Sequence, residues 1–224
     1  MYNITLISTS HSENGKCNSD ELYKIIEYIN PEVVFEELPN SLFKIVYNGN
    51  HFPDEPLEIK CIKKYLQNHS IRHIPVDIDV SPNLSKNEID YMFGSFKQYH
   101  VYKEIEDEQK VLLAQEGFAY LNSEECSASF DRKKTIEKYL IDFAGFNKNQ
   151  LSRIYTLFHE EHDKRENAMI QNIYNYSREN QYNQAVFLIG SGHRKSITQK
   201  IQEYGSREEL KLNWFCYEGT MPTE

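Results

Sequence analysis

"AVFLIGSGHRKSI", residues 185–197, is the stretch on which the fold turns. An apolar run of five residues stops at Gly190. Two glycines then bracket Ser191, His193 follows, and a polar segment with helical spacing extends from about 192 to 204. A short apolar run closed by glycine reads as a strand buried on both faces, and its direct passage into a helix is the turn of a parallel α/β unit.

Working outward, "NITLIS" (3–8) is a second β-branched run, and "EVVFEEL" (32–38) is a third, stopped by Pro39. "IRHIPVDIDV" (71–80) is another, ending near Asp77 or Asp79, and "KLNWFCYE" (211–218) is the last. Helical patterns alternate with them. One covers 20–30, capped by Asn18 or Ser19, with Leu22, Ile25, Ile26 and Ile29 on one face and Pro31 at its end. Another opens at Asp54 and Pro56 and carries Leu57, Cys61, Ile62, Tyr65 and Leu66. A long one runs from about 147 to 180. The alternation predicts the α/β class: one domain, 1–224, with a central, mostly parallel mixed sheet flanked by helices. The stretch 84–145 is charged and helical in pattern, broken at "SEECSASFDRKK" (123–134). It predicts a helical insertion covering one end of the sheet, as extra packing or as a lid over a site.

Composition narrows the function. The 224 residues carry a formal net charge of −9, so neither nucleic acid nor an anionic membrane surface is the expected partner. Hydrophobic residues make up 39%, enough for a real core, and no window approaches the ~20 apolar residues of a membrane span. "MYNITLIS" lacks the basic and apolar regions of a secretory signal, so a cytoplasmic location is expected. Cys17, Cys61, Cys126 and Cys216 lie far apart and form no CxxC pair, which argues for reduced thiols and against a cysteine-ligated zinc.

In an open parallel sheet, ligands bind beyond the carboxyl ends of the strands. Those ends here carry His11 ("STSH"), Glu36 and Glu37 ("EEL"), Asp77 and Asp79 ("VDID"), and His193 ("GSGH"). The two histidine strings resemble each other, each with small residues before the imidazole, which leave room for close approach. Glu36 and Glu37 point to opposite faces of their strand, so at most one faces a given site. His193 sits at a predicted helix start, where the dipole favours neutral imidazole, the form that ligates metal or accepts a proton. On the long helix, Leu151, Ile154, Phe158, His162, Arg165, Met169 and Ile173 form one stripe. An arginine on such a stripe requires a partner: a structural carboxylate among Glu36, Glu37 and the aspartates, or a substrate anion. "HEEH" (159–162) is not HExxH; His159 and His162 are three apart, and Glu160, Glu161 and Asp163 read as a solvated face.

Four islands, "STSHS", "VVFEELP", "KRENAMIQNI" and "VFLIGSGHRKSI", together resemble the TraB/Tiki superfamily, which includes TraB/PrgY-like, Tiki, erythromycin-esterase-like and ChaN-like proteins. The family pattern has a GxxH string after the first strand, a Glu closing the next strand, an Arg before a helical Met and a late GxxH string. Gly190-Ser191-Gly192-His193 matches in full, while the early string has Ser8 in place of Gly. Glu37 and Arg165 fall at the family positions, with Asn167 one residue later than usual. The resemblance implies a hydrolase of an amide or ester bond in which His11, Glu37 and His193 hold a divalent metal or position a water, and Arg165 stabilises an oxyanion or holds a substrate carboxylate. Asp77 or Asp79 would orient a histidine. Histidine and carboxylate ligands fit Zn, Mn, Co or Fe. The expected partner is a small-molecule or peptide substrate. The alternative on the same scaffold is a non-catalytic binder of haem, a metal or a small anionic ligand; the absence of CxxCH excludes covalent haem.

Overall fold

The computed structural model describes residues 2–48 and 54–219. Five strands, β1 (Tyr2–Thr9), β2 (Val33–Pro39), β3 (Arg72–Asp77), β4 (Gln184–Gly190) and β5 (Leu212–Cys216), form one sheet in the order β3-β2-β4-β1-β5. Every neighbouring pair is parallel, so the sheet expected to be mixed is all-parallel among the described residues. The central strand is β4: Ala185 to Ile189 are all buried, as a continuous apolar run demands. Parallel register sets the strand ends level, Thr9 beside Gly190 and Pro39 beside Asp77, with an irregularity in β2 between Glu36 and Pro39.

Helices cover both faces. Helices α1 (Ser19–Ile29) and α3 (Leu57–Leu66) pack on one side, where Leu22, Ile26, Leu57 and Ile62 meet Ile7, Val34, Val186 and Leu188 of the sheet. Asn18 caps α1, its side chain accepting from the Glu21 amide at 2.9 Å. Between β2 and α3 lies α2 (Asn40–Tyr47), which the strand-ending Pro39 obscured in the sequence; Pro39 is also the residue from which this helix starts. On the other side lie α8 (Lys148–Glu179) and α9 (Arg194–Arg207), with Met169, Ile170, Ile173 and Ile197 against Ile4, Leu6, Val33, Phe35 and Phe187. Each fully buried side chain of this kind contributes roughly 1.5–3 kcal/mol of apolar transfer.

The segment 84–145 is helical throughout: α4 (Lys86–Phe96), α5 (His100–Glu116), the single turn α6 (Phe118–Leu121) and α7 (Glu124–Asp142). The expected break at 123–134 is instead a helix start. Ser123 accepts from the Cys126 amide, and α7 runs unbroken through "EECSASFDRKK". These helices bury a separate cluster, Leu84, Met92, Phe96, Tyr102 and Ile141, against Leu151 and Ile154 of α8. The 32-residue α8 therefore serves two cores, the insertion at its start and the sheet at its end. The insertion reaches the carboxyl edge of the sheet, where Asn122 accepts from the Ser8 amide at 2.8 Å and donates to the Ser8 carbonyl at 3.1 Å. All four cysteines are free thiols. None of the described helices is long and apolar enough to cross a membrane.

Candidate functional site

The middle of α8, between its two apolar stretches, passes the carboxyl ends of β2, β3 and β4. That position explains why a stripe apolar at both ends is polar at the centre. Arg165 lies there and turns to the sheet. Its Nε and Nη2 donate to Asp77 Oδ2 at 3.0 and 2.6 Å, and Nη2 also donates to Glu37 Oε1 at 2.8 Å. Of the two readings of Arg165, the carboxylate partner is the one found, and there are two such partners. The Asp77 side chain is 2% exposed and the Glu37 side chain 9%, so the guanidinium balances charge that is largely shielded from water.

Glu37 faces α8 on the same side of β2 as Val33 and Phe35. Its second oxygen accepts from the Gly190 amide at 2.6 Å. A Cβ at position 190 would stand 3.3 Å from that oxygen, a tight contact that glycine leaves free. Burial opposes the Glu37 charge, but His193, the Gly190 amide and Arg165 together hold its pKa down to about 2. Glu36 points the opposite way, accepting from the Tyr47 hydroxyl at 2.7 Å and pairing with His73 Nδ1 at 3.2 Å. It also lines the small pocket that holds His11, Thr9, Glu37 and Glu58.

His193 ends the short turn Ser191–His193 and sits between two acids. Nδ1 lies 2.7 Å from Glu166 Oε1, and Nε2 lies 3.3 Å from Glu37 Oε1. Burial disfavours its charge, yet the two carboxylates outweigh burial and push its pKa up to about 9. The expectation of a neutral His193 from the helix dipole is thus overturned: two full charges within hydrogen-bond reach exceed a partial charge at a helix end. The neutral imidazole of the site is His162, stacked on His193 with ring centroids 4.6 Å apart. Burial and the neighbouring His193 and Arg165 charges hold it down to about 3.

Glu166 is the residue the sequence reading passed over. It stands within the quoted "KRENAM", four residues after His162 and so on the same helix face, and that spacing was the available signal. Ser196 donates to its second oxygen, and Lys200 lies 3.8 Å away. Asn167 instead faces out and donates to Asp163. His162, Glu166 and His193 each place one ligand atom within 4.8 Å of the others, a grouping suited to a metal ion.

The other expected residues fall elsewhere. The side chain of His11 is 68% exposed and lies 3.3 Å from Glu58, whose hydrogen bond raises its pKa against a smaller cost of burial. It shares a small pocket of about 70 Å3 with Glu37, Thr9 and Glu58, and stands outside the His162–Glu166–His193 grouping. Asp79 is exposed and accepts from the Ser41 hydroxyl. Glu161, read as part of a solvated face, is buried and accepts from the Ser81 amide at 2.8 Å.

Beside the grouping opens a cavity of about 300 Å3. Its floor comes from His162, Glu166, Gly192 and Ser196, and its far wall from the insertion, through Phe93, Phe130, Lys133, Lys134 and Glu137. Phe158 and His159 of α8 complete it. Burial, reinforced by Lys134 and Lys138, holds the His159 pKa down to about 4. The helical insertion thus walls a cavity at the sheet edge. No protein-family model, curated protein or solved structure matches this chain.

Proposed function

We propose that the protein is a hydrolase of an ester or amide bond whose centre is the His162–Glu166–His193 grouping at the edge of the 300 Å3 cavity. The observation that carries the reading is the meeting of two imidazoles and a carboxylate beside a cavity at the carboxyl edge of a parallel sheet. The resemblance to the TraB/Tiki superfamily points to the same chemistry.

The donor set suits a divalent transition ion. His162 is uncharged and free to donate a lone pair, and Glu166 supplies an anionic oxygen. His193 would ligate through Nδ1 once metal binding displaces the proton it shares with Glu166, while Nε2 stays held by Glu37, the pattern in which an outer carboxylate fixes the ring of a ligating histidine. Arg165 and the Gly190 amide then fix Glu37. Arg165 becomes a positioning residue, its donors engaged by Glu37 and Asp77 and not aimed at an oxyanion. When bound, the ion supplies Lewis-acid polarisation and a water acidic enough to attack at neutral pH. Overall, a water oxygen bonds to the acyl carbon, the carbon–oxygen or carbon–nitrogen bond breaks, and a water proton passes to the leaving atom.

The test combines metal analysis of the purified full chain with a screen of esters, lactones and amides. The expected result is about one equivalent of Zn, Mn, Co or Fe, with turnover that His193→Ala and Glu166→Gln both abolish. Turnover unchanged in both variants would overturn the assignment. Tight metal binding without turnover of any substrate would favour a non-catalytic metal or small-anion binder.

A further inference from the structure

We propose that the cavity takes a small monoanion: an aromatic or bulky apolar group bearing one carboxylate, with the anion on Lys134 and the apolar group among Phe93, Phe130 and Phe158. The ligand class is argued from the cavity walls. Only the identity of the bond that is cut rests on the hydrolase reading above.

Size comes first. About 300 Å3 is at the small end of ligand cavities, matching a single acylated amino acid or aryl ester better than an extended peptide. Shape and polarity follow. Three phenyl rings line the space, with Phe93 and Phe158 already edge to face at 5.3 Å. Gly192 presents no side chain, and a Cβ there would lie 3.7 Å from the Phe130 ring, so this ring forms the wall directly over the site floor.

The charged groups of the wall are largely satisfied. Lys133 pairs with Glu106 and lies over the Tyr102 ring at 4.8 Å. Asp163 is held by Lys200 and Asn167, and Glu166 by His193 and Ser196. Glu137 accepts from the Tyr102 hydroxyl at 3.0 Å. Lys134 is left: it lines the cavity and holds no ion pair among the described residues. Its ammonium is the group that can meet an oxygen of a carboxylate. The three carboxylates already around the cavity disfavour a dianion, which separates this class from phosphate monoesters.

Calorimetric titration of the full chain with 3-phenylpropionate, 3-phenylpropanamide and phenyl phosphate tests this. The acid should bind about tenfold tighter than the amide, the gain expected of one charge-assisted contact, and tighter than the phosphate. Lys134→Met should erase the difference between acid and amide, Lys134→Arg should retain it, and Phe130→Ala should weaken both ligands alike. Lys134 is exposed, so its substitution leaves the core intact. Equal binding of acid and amide, an acid preference that survives Lys134→Met, or no binding of any probe would overturn the inference. Because binding is read without turnover, an acid preference without hydrolysis keeps this inference and removes the hydrolase reading. Hydrolysis without an acid preference does the reverse.

Discussion

The ends of β1 and β4 carry similar strings of small residues closed by histidine, Ser8-Thr9-Ser10-His11 and Gly190-Ser191-Gly192-His193, in adjacent parallel strands where Thr9 stands beside Gly190. Their histidines nonetheless meet different fates. His193 is buried between Glu37 and Glu166, whereas His11 is largely exposed beside Glu58. The difference comes from what passes over each strand end. α8, packed on β3, reaches His193 after β4 through His162 and Glu166, and brings Arg165 to Glu37 and Asp77. The loop after β1 instead docks on the start of α3, where the Leu57 amide donates to the His11 carbonyl at 3.0 Å. Ser8 is held by Asn122 in a hydrogen-bonded clamp, so the early string anchors the insertion to the sheet. Similar strand-end strings mark similar backbone positions; the neighbouring helix decides what chemistry the imidazole enters.

The largest test of this contrast is Arg165→Met. It leaves Asp77 buried without its cation and takes from Glu37 one of its two positive partners, and denaturant unfolding should show a loss of roughly 3–5 kcal/mol. His11→Ala, measured the same way, should stay within about 0.5 kcal/mol, as surface changes do. A small loss for Arg165→Met would mean that water reaches the two carboxylates.

A second comparison is metal affinity. Glu37→Gln keeps the shape of the side chain but weakens its hold on His193 Nε2, so binding of added Zn should fall about 10- to 100-fold, the usual cost of losing an outer carboxylate. His11→Ala should change it less than about twofold, since His11 lies outside the grouping. Reversal of that order would return His11 to the centre of the site.

A third comparison is in pH. In the metal-free protein the pKa of His193 is raised to about 9 from an ordinary 6.5. The folded state therefore binds the proton more tightly than the unfolded chain. The resulting stabilisation is fully present below pH 6.5 and is lost as pH rises through about 9. The melting temperature of metal-free wild type should exceed that of His193→Gln at pH 6 by more than at pH 9.5. A gap that is constant across this range would show that His193 is not charged between its two acids.

Much of the frame was legible in the residues. The five strands, the α1, α3, α8 and α9 helices and the parallel connections followed from apolar runs, caps and spacing, because these depend on local backbone preference and burial. Arg165 was legible as a residue needing a partner. Other features were not. The start of α2 was hidden by Pro39, which both ends a strand and precedes a helix. The continuity of α7 was hidden because Ser123 caps a helix start that reads as a break. Glu166 was hidden among the charged residues of its helix, where its four-residue spacing from His162 is the only mark that sets it apart from the exposed Glu160.

By itself the sequence determined the α/β class, the strand ends that meet at one edge, and the small residues that leave room before His11 and His193. Only the tertiary structure decided that Glu37 and not Glu36 turns to α8, that Arg165 serves two acids, and that the partner of His193 is His162 with Glu166. Those choices depend on which helix crosses which strand end, a long-range packing outcome that no local pattern encodes. The charge on His193 follows from the same cause: two carboxylates from distant parts of the chain arrive at one imidazole only after the sheet and α8 have packed.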